Sequence, residues 1–538
     1  MRGTLLVAGT HSDAGKSVVV AGICRWLARE GLRVAPFKAQ NMALNSFVSH
    51  EGAEIGRAQA AQAQAAMVEP EAAMNPVLLK PSVQDTQVIV RGRPRATASA
   101  RSYQGMKKDL LPVVLESLED LKNRYDVVVC EGAGSPAEIN LRPHDLANMG
   151  LARAAKLPVI LVGDIDRGGL FASLYGTLAL LSAKDQALIS GFLVNKFRGD
   201  PAVLAPGLEQ LSRLTGRPFL GTLPYVVGLG LDGEDSLALD AKREAKPPLG
   251  RDVLRVAVVR LGRISNFTDF DALAHEPGVF VSFTTSPTEI LSADLAIIPG
   301  TKATVADLAG LRSRGLSGAF EERARRGLPT LGVCGGYQML GERIADGIES
   351  GGEALGLGLL PVETVFEEEK LLGRPAGRAP IFGDAEVSGY EIRHGRVHRC
   401  GGESLFVGDG FQEGCRAGAV FGTSWHGVME SDAFRRSFLR FVAGERGLDW
   451  TPGKAAFAAA REAQLDRLGD LISENVDRNA LLQLIENGPP DDLQVIRHQQ
   501  GGSNGAAARE APSPNRKVAT SASPALAAPD GSNLEAEA

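Results

Sequence analysis

No apolar run in this 538-residue chain approaches the roughly 20 residues that a membrane-spanning helix needs, so a helical membrane protein is not expected. The opening residues, MRGTLLVAGTHSDAGKS, hold only a short apolar run before His11 and Asp13, which does not suit a secretory signal. Cysteine is sparse. The five residues are scattered, odd in number and without the paired spacings that hold a metal, as in a protein of a reducing compartment. A cytoplasmic location is the expectation. Excess positive charge is missing too: a formal net charge of -6 gives no footprint for nucleic acid or for an anionic membrane surface. Internal repeats are absent. What remains is an ordinary globular composition, 44% hydrophobic and 23% charged, in a chain long enough for two or three domains.

Within it, residues 329–340 read PTLGVCGGYQML. An apolar run over 330–333 delivers Cys334 onto a Gly-Gly turn that leads into a helical pattern. A strand-to-helix elbow strains its turn residue, and glycines after it let the chain bend and a substrate approach. Cys334 then stands at a helix N-terminus, where peptide dipoles and free N–H groups favour a thiolate and can hold an oxyanion. The candidate base is His426, in Gly422-Thr423-Ser424-Trp425-His426-Gly427, and Ile297-Ile298-Pro299-Gly300 is a candidate oxyanion loop. The competing reading is a buried structural cysteine and a core histidine; the elbow glycines and the Gly300 loop weigh against it.

GVCGGYQML, with PGTK before it and Trp-His-Gly after it, resembles the class I glutamine amidotransferase domain. In that family the cysteine attacks the side-chain amide of glutamine and ammonia leaves, which makes Gly300 and Gly335 expected oxyanion or glutamine-site positions. Many members carry a Glu two residues after the His. Val428 stands there in this chain, which resembles the cobalamin-biosynthesis branch, described as working with a Cys/His dyad.

Over residues 1–231, apolar runs that read as buried strands (4–8, 33–37, 126–130, 157–162, 189–194 and 218–223) alternate with segments of helical spacing such as 17–30, 104–122 and 145–156. The alternation predicts an α/β fold, a mostly parallel sheet with helices on both faces and ligands at the carboxyl ends of its strands.

The first run ends in Gly9-Thr10-His11-Ser12-Asp13-Ala14-Gly15-Lys16-Ser17. A glycine-bearing loop that opens a helix turns backbone N–H groups toward phosphate oxygens, the lysine adds a point charge, and the serine hydroxyl can ligate Mg²⁺. Thr10, Gly15, Lys16 and Ser17 are thus candidate nucleotide-binding residues, although Thr10 occupies the first glycine position and Gly9 lies one residue early. Glu131, at the tip of a buried strand beside small residues, suits Mg²⁺ together with Ser17. Asp164 and Asp166, in GDIDRGG, and Asn195, an amide that could read adenine, end further strands. Lys38, Asn41 and Asn45, in PFKAQNMALNS, suit a carboxylate- or amide-bearing ligand, and Asp145, Asp164 and Asp166 join them as substrate or phosphate candidates. Strand-end Asp and Asn also serve as caps and turn residues. Their accumulation at one sheet edge favours a site.

The loop resembles that of the dethiobiotin-synthetase-like branch of the P-loop proteins, and NMALNS and DIDRGG with the paired domains resemble the cobyric acid synthase family, over residues 4–485. The resemblance implies two doubly wound α/β domains, an N-terminal P-loop NTPase-like parallel sheet and a C-terminal flavodoxin-like amidotransferase sheet. It also implies ATP, Mg²⁺ and no prosthetic group, with glutamine as the nitrogen source. The substrate it implies is adenosylcobyrinic acid a,c-diamide, amidated on its b, d, e and g carboxylates to give adenosylcobyric acid. Alternatives are a cobyrinic acid a,c-diamide synthase or a cell-wall amidating relative, and a MinD-like ATPase switch with an inactive amidotransferase domain. A simple dethiobiotin-type ligase leaves the second half unexplained.

The expected division is 1–231 for the P-loop synthetase domain, 232–252 for a linker, 253–446 for the amidotransferase domain, 447–489 for C-terminal helices packed on that second domain, and 490–538 for a disordered, polar tail. Asn266, Thr268 and Asp269, in RISNFTDFD, either line a cleft or belong to a loop pinned by its aromatics. In GYEIRHG, Arg393 stands where the family has a His, and His394 and His398 are poor candidates for catalysis beside His426.

Overall fold

The computed structural model describes residues 1–82, 85–229, 246–349 and 352–496. Its first domain is built on a six-stranded sheet in the order Phe219–Pro224, Ile189–Phe197, Val159–Asp164, Gly3–Gly9, Val127–Glu131, Val34–Phe37, parallel throughout. These are the six strands expected, each within a few residues of its apolar run. The five other than the edge strand Phe219–Pro224 are largely buried on both faces, so their sequences run apolar without alternation. The phosphate loop leaves the carboxyl end of Gly3–Gly9 and opens the helix Lys16–Arg29.

The second domain repeats the plan. Its six strands run Val279–Thr284, Leu254–Val259, Leu295–Ile298, Thr330–Val333, Val420–Thr423, Cys415–Ala417, parallel except for the last. Cys334 leaves the carboxyl end of Thr330–Val333, and Gly300 follows the neighbouring Leu295–Ile298 strand closely.

Between these strands lie elements that no periodicity signals. Gln40–Met42, Val77–Pro81, Thr86–Val90 and Arg93–Ala98 form a four-stranded sheet, and Ser46–Val48 pairs with Glu54–Gly56 in a ribbon followed by the helix Arg57–Ala65. Gln40–Met42, Ser46–Val48 and Glu54–Gly56 are three residues long and carry no alternation to read. The GYEI run, residues 389–392, leads into the strand Glu391–Arg399, antiparallel to Val362–Gly373.

The C-terminal helices differ from expectation. Asp432–Glu445 packs Phe434, Phe438, Leu439 and Val442 into the second domain's core, but Phe457–Asn475 and Arg478–Asn487 cross back to the first domain. Leu468, Ile472, Leu481 and Ile485 join Leu5, Val7, Val20 and Ile23 in one core. Arg25, buried on the first helix, pairs with Glu462 at 2.5 Å and Asp466 at 2.8 Å. The approach is close at Gly22, where a Cβ would lie 2.7 Å from the Leu468 carbonyl oxygen. The reason is the first helix itself: it is buried at every position from Val19 to Leu27, more than its own sheet covers. The expected linker lies outside the described residues from 232 to 245, and the expected tail does so from 497 onward.

Candidate functional site

Cys334 has φ 50° and ψ -109°, a strained backbone for a residue with a side chain, and it caps the short helix Gly335–Leu340. Its N–H donates to the Thr423 carbonyl at 2.7 Å, which ties the elbow to the strand that leads to His426. The glycines behind it are needed for space: a Cβ on Gly336 would lie 1.9 Å from the Ile298 carbonyl oxygen, and one on Gly335 2.7 Å from Thr301 Cγ2. Gly300 approaches the histidine in the same way, with 2.8 Å from an added Cβ to His426 Cε1. The four expected positions are therefore brought together.

His426 is 1% exposed and lines the same cavity as Cys334. Its Nδ1 bonds Asp269 Oδ2 at 2.7 Å, and Gly427 N–H donates to Asp269 Oδ1 at 2.9 Å. With Nδ1 engaged by the carboxylate, Nε2 is left for the thiol. Burial alone would lower the imidazole's pKa, but Asp269 and then Cys334 outweigh it and push it up to about 10. An imidazolium is thus favoured beside the sulfur at neutral pH. The Tyr390 ring stacks on His426 with centroids 5.4 Å apart, and the two residues exchange backbone hydrogen bonds of 2.9 and 3.0 Å.

Asp269 is the functional group that the sequence reading left unassigned. The dyad implied by the amidotransferase resemblance gains a carboxylate, not at Val428, which is buried in the second domain's core, but from a turn 157 residues upstream of the histidine. A signal was present: an acid flanked by Phe267 and Phe270 is an acid that the aromatics drag into the core, where it needs a partner.

A cavity of about 20 Å³ lies against Cys334, His426, Asn266, Thr304 and Gln338, with Lys302, Lys370 and, from the first domain, Lys80 on its walls. His394 borders the same cavity but bonds the Glu367 carbonyl at 3.0 Å, and burial lowers its pKa. His398 carries no contact with the cavity, and Arg393 pairs with Glu391 at 2.8 Å.

At the phosphate loop, Gly15 takes φ 95°, and Lys16 Nζ folds back to the His11 carbonyl at 3.1 Å. Ser17 Oγ donates to Glu131 Oε1 at 2.8 Å, Lys38 Nζ lies 2.9 Å from the same oxygen, and Gln62 Nε2 donates to Oε2 at 2.5 Å. Burial works to raise the Glu131 carboxyl's pKa; Lys38, Gln62 and Lys16 outweigh it and hold it below the usual range. Thr10 Oγ1 and Gln62 Oε1 are buried with no hydrogen-bond partner. Orphaned polar atoms beside a lysine, a serine and a carboxylate fit a phosphate and a hard cation better than a closed core. Among the described residues no three His, Cys, Asp or Glu side chains cluster as a metal site, and no helix is long and apolar enough to cross a membrane.

The remaining candidates divide. Asp164 is buried with Lys196 Nζ at 2.7 Å, and Asp166 pairs with Arg198 at 3.0 Å, both at the loop's edge. Asn195 donates to the Ala14 carbonyl at 2.9 Å and accepts from Lys196 N–H at 2.9 Å, so its amide holds the loop rather than facing outward to read a base. Asn41 donates to Gln59 Oε1 at 2.8 Å. Two assignments are corrected. Asp145 accepts N–H groups of Ala147, Asn148 and Gly150, each at 2.9 Å, and so folds the turn that leads into Met149–Ala155. Asn45, 1% exposed, accepts Phe267 N–H of the second domain at 3.2 Å, which engages it across the domain boundary.

Comparison with known proteins follows the same two halves. A family described as CobB/CobQ-like glutamine amidotransferase domain matches residues 255–434, and one described as CobQ/CobB/MinD/ParA nucleotide binding domain matches residues 5–236. A protein of Streptomyces avermitilis named cobyric acid synthase is 58% identical over 505 residues, which cover 92% of this chain and 99% of that one. Proteins of the same name from Frankia casuarinae and Mycolicibacterium paratuberculosis are 57% identical over 521 residues and 56% identical over 495, covering 92% and 91% of this chain and 99% and 98% of theirs.

Proposed function

The chain belongs to the cobyric acid synthase family, and we propose that its two sites act in series on one corrin substrate. Membership makes it a glutamine-dependent, amide-forming ligase of cobalamin biosynthesis with a nucleotide-binding domain. The finer reading is ATP-dependent amidation of the b, d, e and g carboxylates of adenosylcobyrinic acid a,c-diamide, in the cytoplasm, by a synthetase domain over 1–231 and an amidotransferase domain over 253–446.

A carboxylate resists ammonia because its carbonyl is anionic and oxide is a poor leaving group. Phosphorylation by ATP removes both obstacles. Lys16 and the backbone N–H groups around Gly15 take up the negative charge of the transferring phosphoryl group. Ser17 and Glu131 would hold Mg²⁺, which would supply further neutralisation there. Lys38, beside Glu131, and Asp164 and Asp166, at the loop's edge, complete the charged surround. In the second domain His426 takes the Cys334 proton, the thiolate attacks the glutamine amide carbon, and the imidazolium returns the proton to the departing ammonia. Asp269 keeps Nδ1 protonated and stabilises the imidazolium between the two steps. Gly300 and Gly335 leave room for the tetrahedral oxyanion. Water then releases glutamate, and ammonia, which bulk water would protonate, passes between the domains to the activated carboxylate.

The observation that carries this reading is the Cys334–His426–Asp269 array at a strained elbow, in one chain with a phosphate loop. It also weighs against a MinD-like switch with a dead second domain, which would have no use for an assembled nucleophile. The test is mass spectrometry of adenosylcobyrinic acid a,c-diamide after incubation with the chain, Mg-ATP and glutamine. Four stepwise exchanges of OH for NH₂ are expected. An unchanged substrate, with glutamine and ATP both turned over, would remove the corrin assignment.

A further inference from the structure

Three consecutive residues of the synthetase domain reach both supports of His426. Asn45 Oδ1 accepts Phe267 N–H at 3.2 Å, and Asn266 Oδ1 accepts Ser46 N–H at 2.8 Å, a reciprocal pair of buried hydrogen bonds across the domain boundary. Asn266 has φ 51°, a left-handed turn that an asparagine tolerates, and it opens the Phe267–Phe270 turn that carries Asp269. The next residue, Phe47, packs its ring 5.4 Å from the ring of Tyr390, which in turn stacks on His426. The stretch is itself pinned. Ser46–Val48 pairs with Glu54–Gly56, and Glu54, fully buried, lies 2.7 Å from Lys80 of its own domain and 2.5 Å from Lys370 of the other.

A four-residue turn has too few internal hydrogen bonds to hold a carboxylate in one place by itself. The N–H of Phe267, at its start, bonds to Asn45 of the other domain, and the ring behind the histidine is likewise backed from there. We propose that Asn45 and Phe47 are positioning residues for glutamine hydrolysis: docking of the synthetase domain fixes the Asp269 turn and the Tyr390 ring between which His426 is held. The domain that consumes ammonia thereby completes the base that releases it, and glutamine is hydrolysed at full rate only in the docked chain.

The proposal rests on the glutaminase reading of Cys334 and deepens it. Besides Asp269 and Cys334, the charged groups that border the His426 cavity are Lys80, Lys302, Glu349, Lys370, Arg393 and His394. Asn45 bears on this set through the turn that carries Asp269. The experiment is glutamine hydrolysis by the full chain across pH, together with amidation driven by ammonium salt. Asn45→Ala is expected to lower kcat about tenfold or more, with glutamine KM within about threefold. Because Asp269 sustains the imidazolium, the alkaline limb of the profile should move to lower pH. Ammonium-driven amidation should stay within about twofold of wild type. Asn266→Gly, which keeps the left-handed turn and loses the acceptor, should act in the same direction, and Phe47→Leu should do so more weakly. Glu69→Ala, which removes a 3.8 Å pair with Arg374 at the same interface, should leave the profile in place. An unmoved alkaline limb in both asparagine variants, an equal shift in Glu69→Ala, or an equal loss of ammonium-driven amidation would overturn the proposal. A wild-type chain that does not hydrolyse glutamine would instead overturn the glutaminase reading beneath it.

Discussion

In each parallel sheet the reactive loop follows an interior strand and opens a helix through a residue of positive φ, Gly15 at 95° in the first domain and Cys334 at 50° in the second. The residues differ because the tasks differ. A phosphate is held by backbone N–H groups, so glycine takes the left-handed conformation without strain. A covalent nucleophile needs a side chain at that point, so the strain must be carried by the surroundings: the Thr423 carbonyl in front and glycines that let Ile298 and Thr301 close in behind. The phosphate site keeps orphaned polar atoms at Thr10 of the loop and at Gln62 of the helix Arg57–Ala65, whereas the cysteine site has its histidine and carboxylate already joined.

Substitutions can break that contrast. The largest effect is expected for Lys16→Ala, which should stop amidation from glutamine and from ammonium alike in a product assay; a near-normal rate from either source would remove the phosphate-loop assignment. Asp269→Asn should cut the kcat for glutamine hydrolysis by about 10²-fold or more while sparing ammonium-driven amidation. In the wild type, Asp269 lifts His426 against its burial to about 10; without the carboxylate, burial dominates, and the alkaline limb of the pH–rate profile should move to lower pH. Glu54→Gln should destabilise the docked chain by roughly 3–5 kcal/mol in denaturant unfolding, because Lys80 and Lys370 are left buried and unpaired. Burial opposes the Glu54 charge, but Lys370 and Lys80 outweigh it and hold its carboxyl well below the usual range. Its stabilisation is therefore present above the ordinary carboxylate pKa and is lost as pH falls through the depressed one, so the variant should show a flatter acid limb of stability. Gly336→Ala, whose Cβ meets the Ile298 carbonyl, should cost roughly 1–3 kcal/mol and impair the elbow while leaving ATP turnover intact.

What could be read from the sequence was local. The six strands of the first sheet, the phosphate loop and the Cys334 elbow each announce themselves within about a dozen residues, through apolar runs, glycines and helix starts. His426 was within reach because it follows a strand adjacent to that of Cys334. Asp269 was not, because its role exists only when a turn from one end of the domain meets a histidine near the other, and the same residues are equally good as an aromatic-pinned loop. The asparagines of NMALNS were misread in part for the same reason. Asn45 suits a polar ligand, and the second domain supplies the matching polar groups instead. The C-terminal helices were placed by chain proximity, while the uncovered face of the first helix decided their position.

The central claim is that Cys334 supplies ammonia to chemistry done elsewhere in the same chain. Its most direct test is Cys334→Ala, assayed for amidation of adenosylcobyrinic acid a,c-diamide first with glutamine and then with a high concentration of ammonium salt. The account predicts no product with glutamine and a rate close to wild type with ammonium. Loss of both activities, or product from glutamine without the thiol, would contradict it.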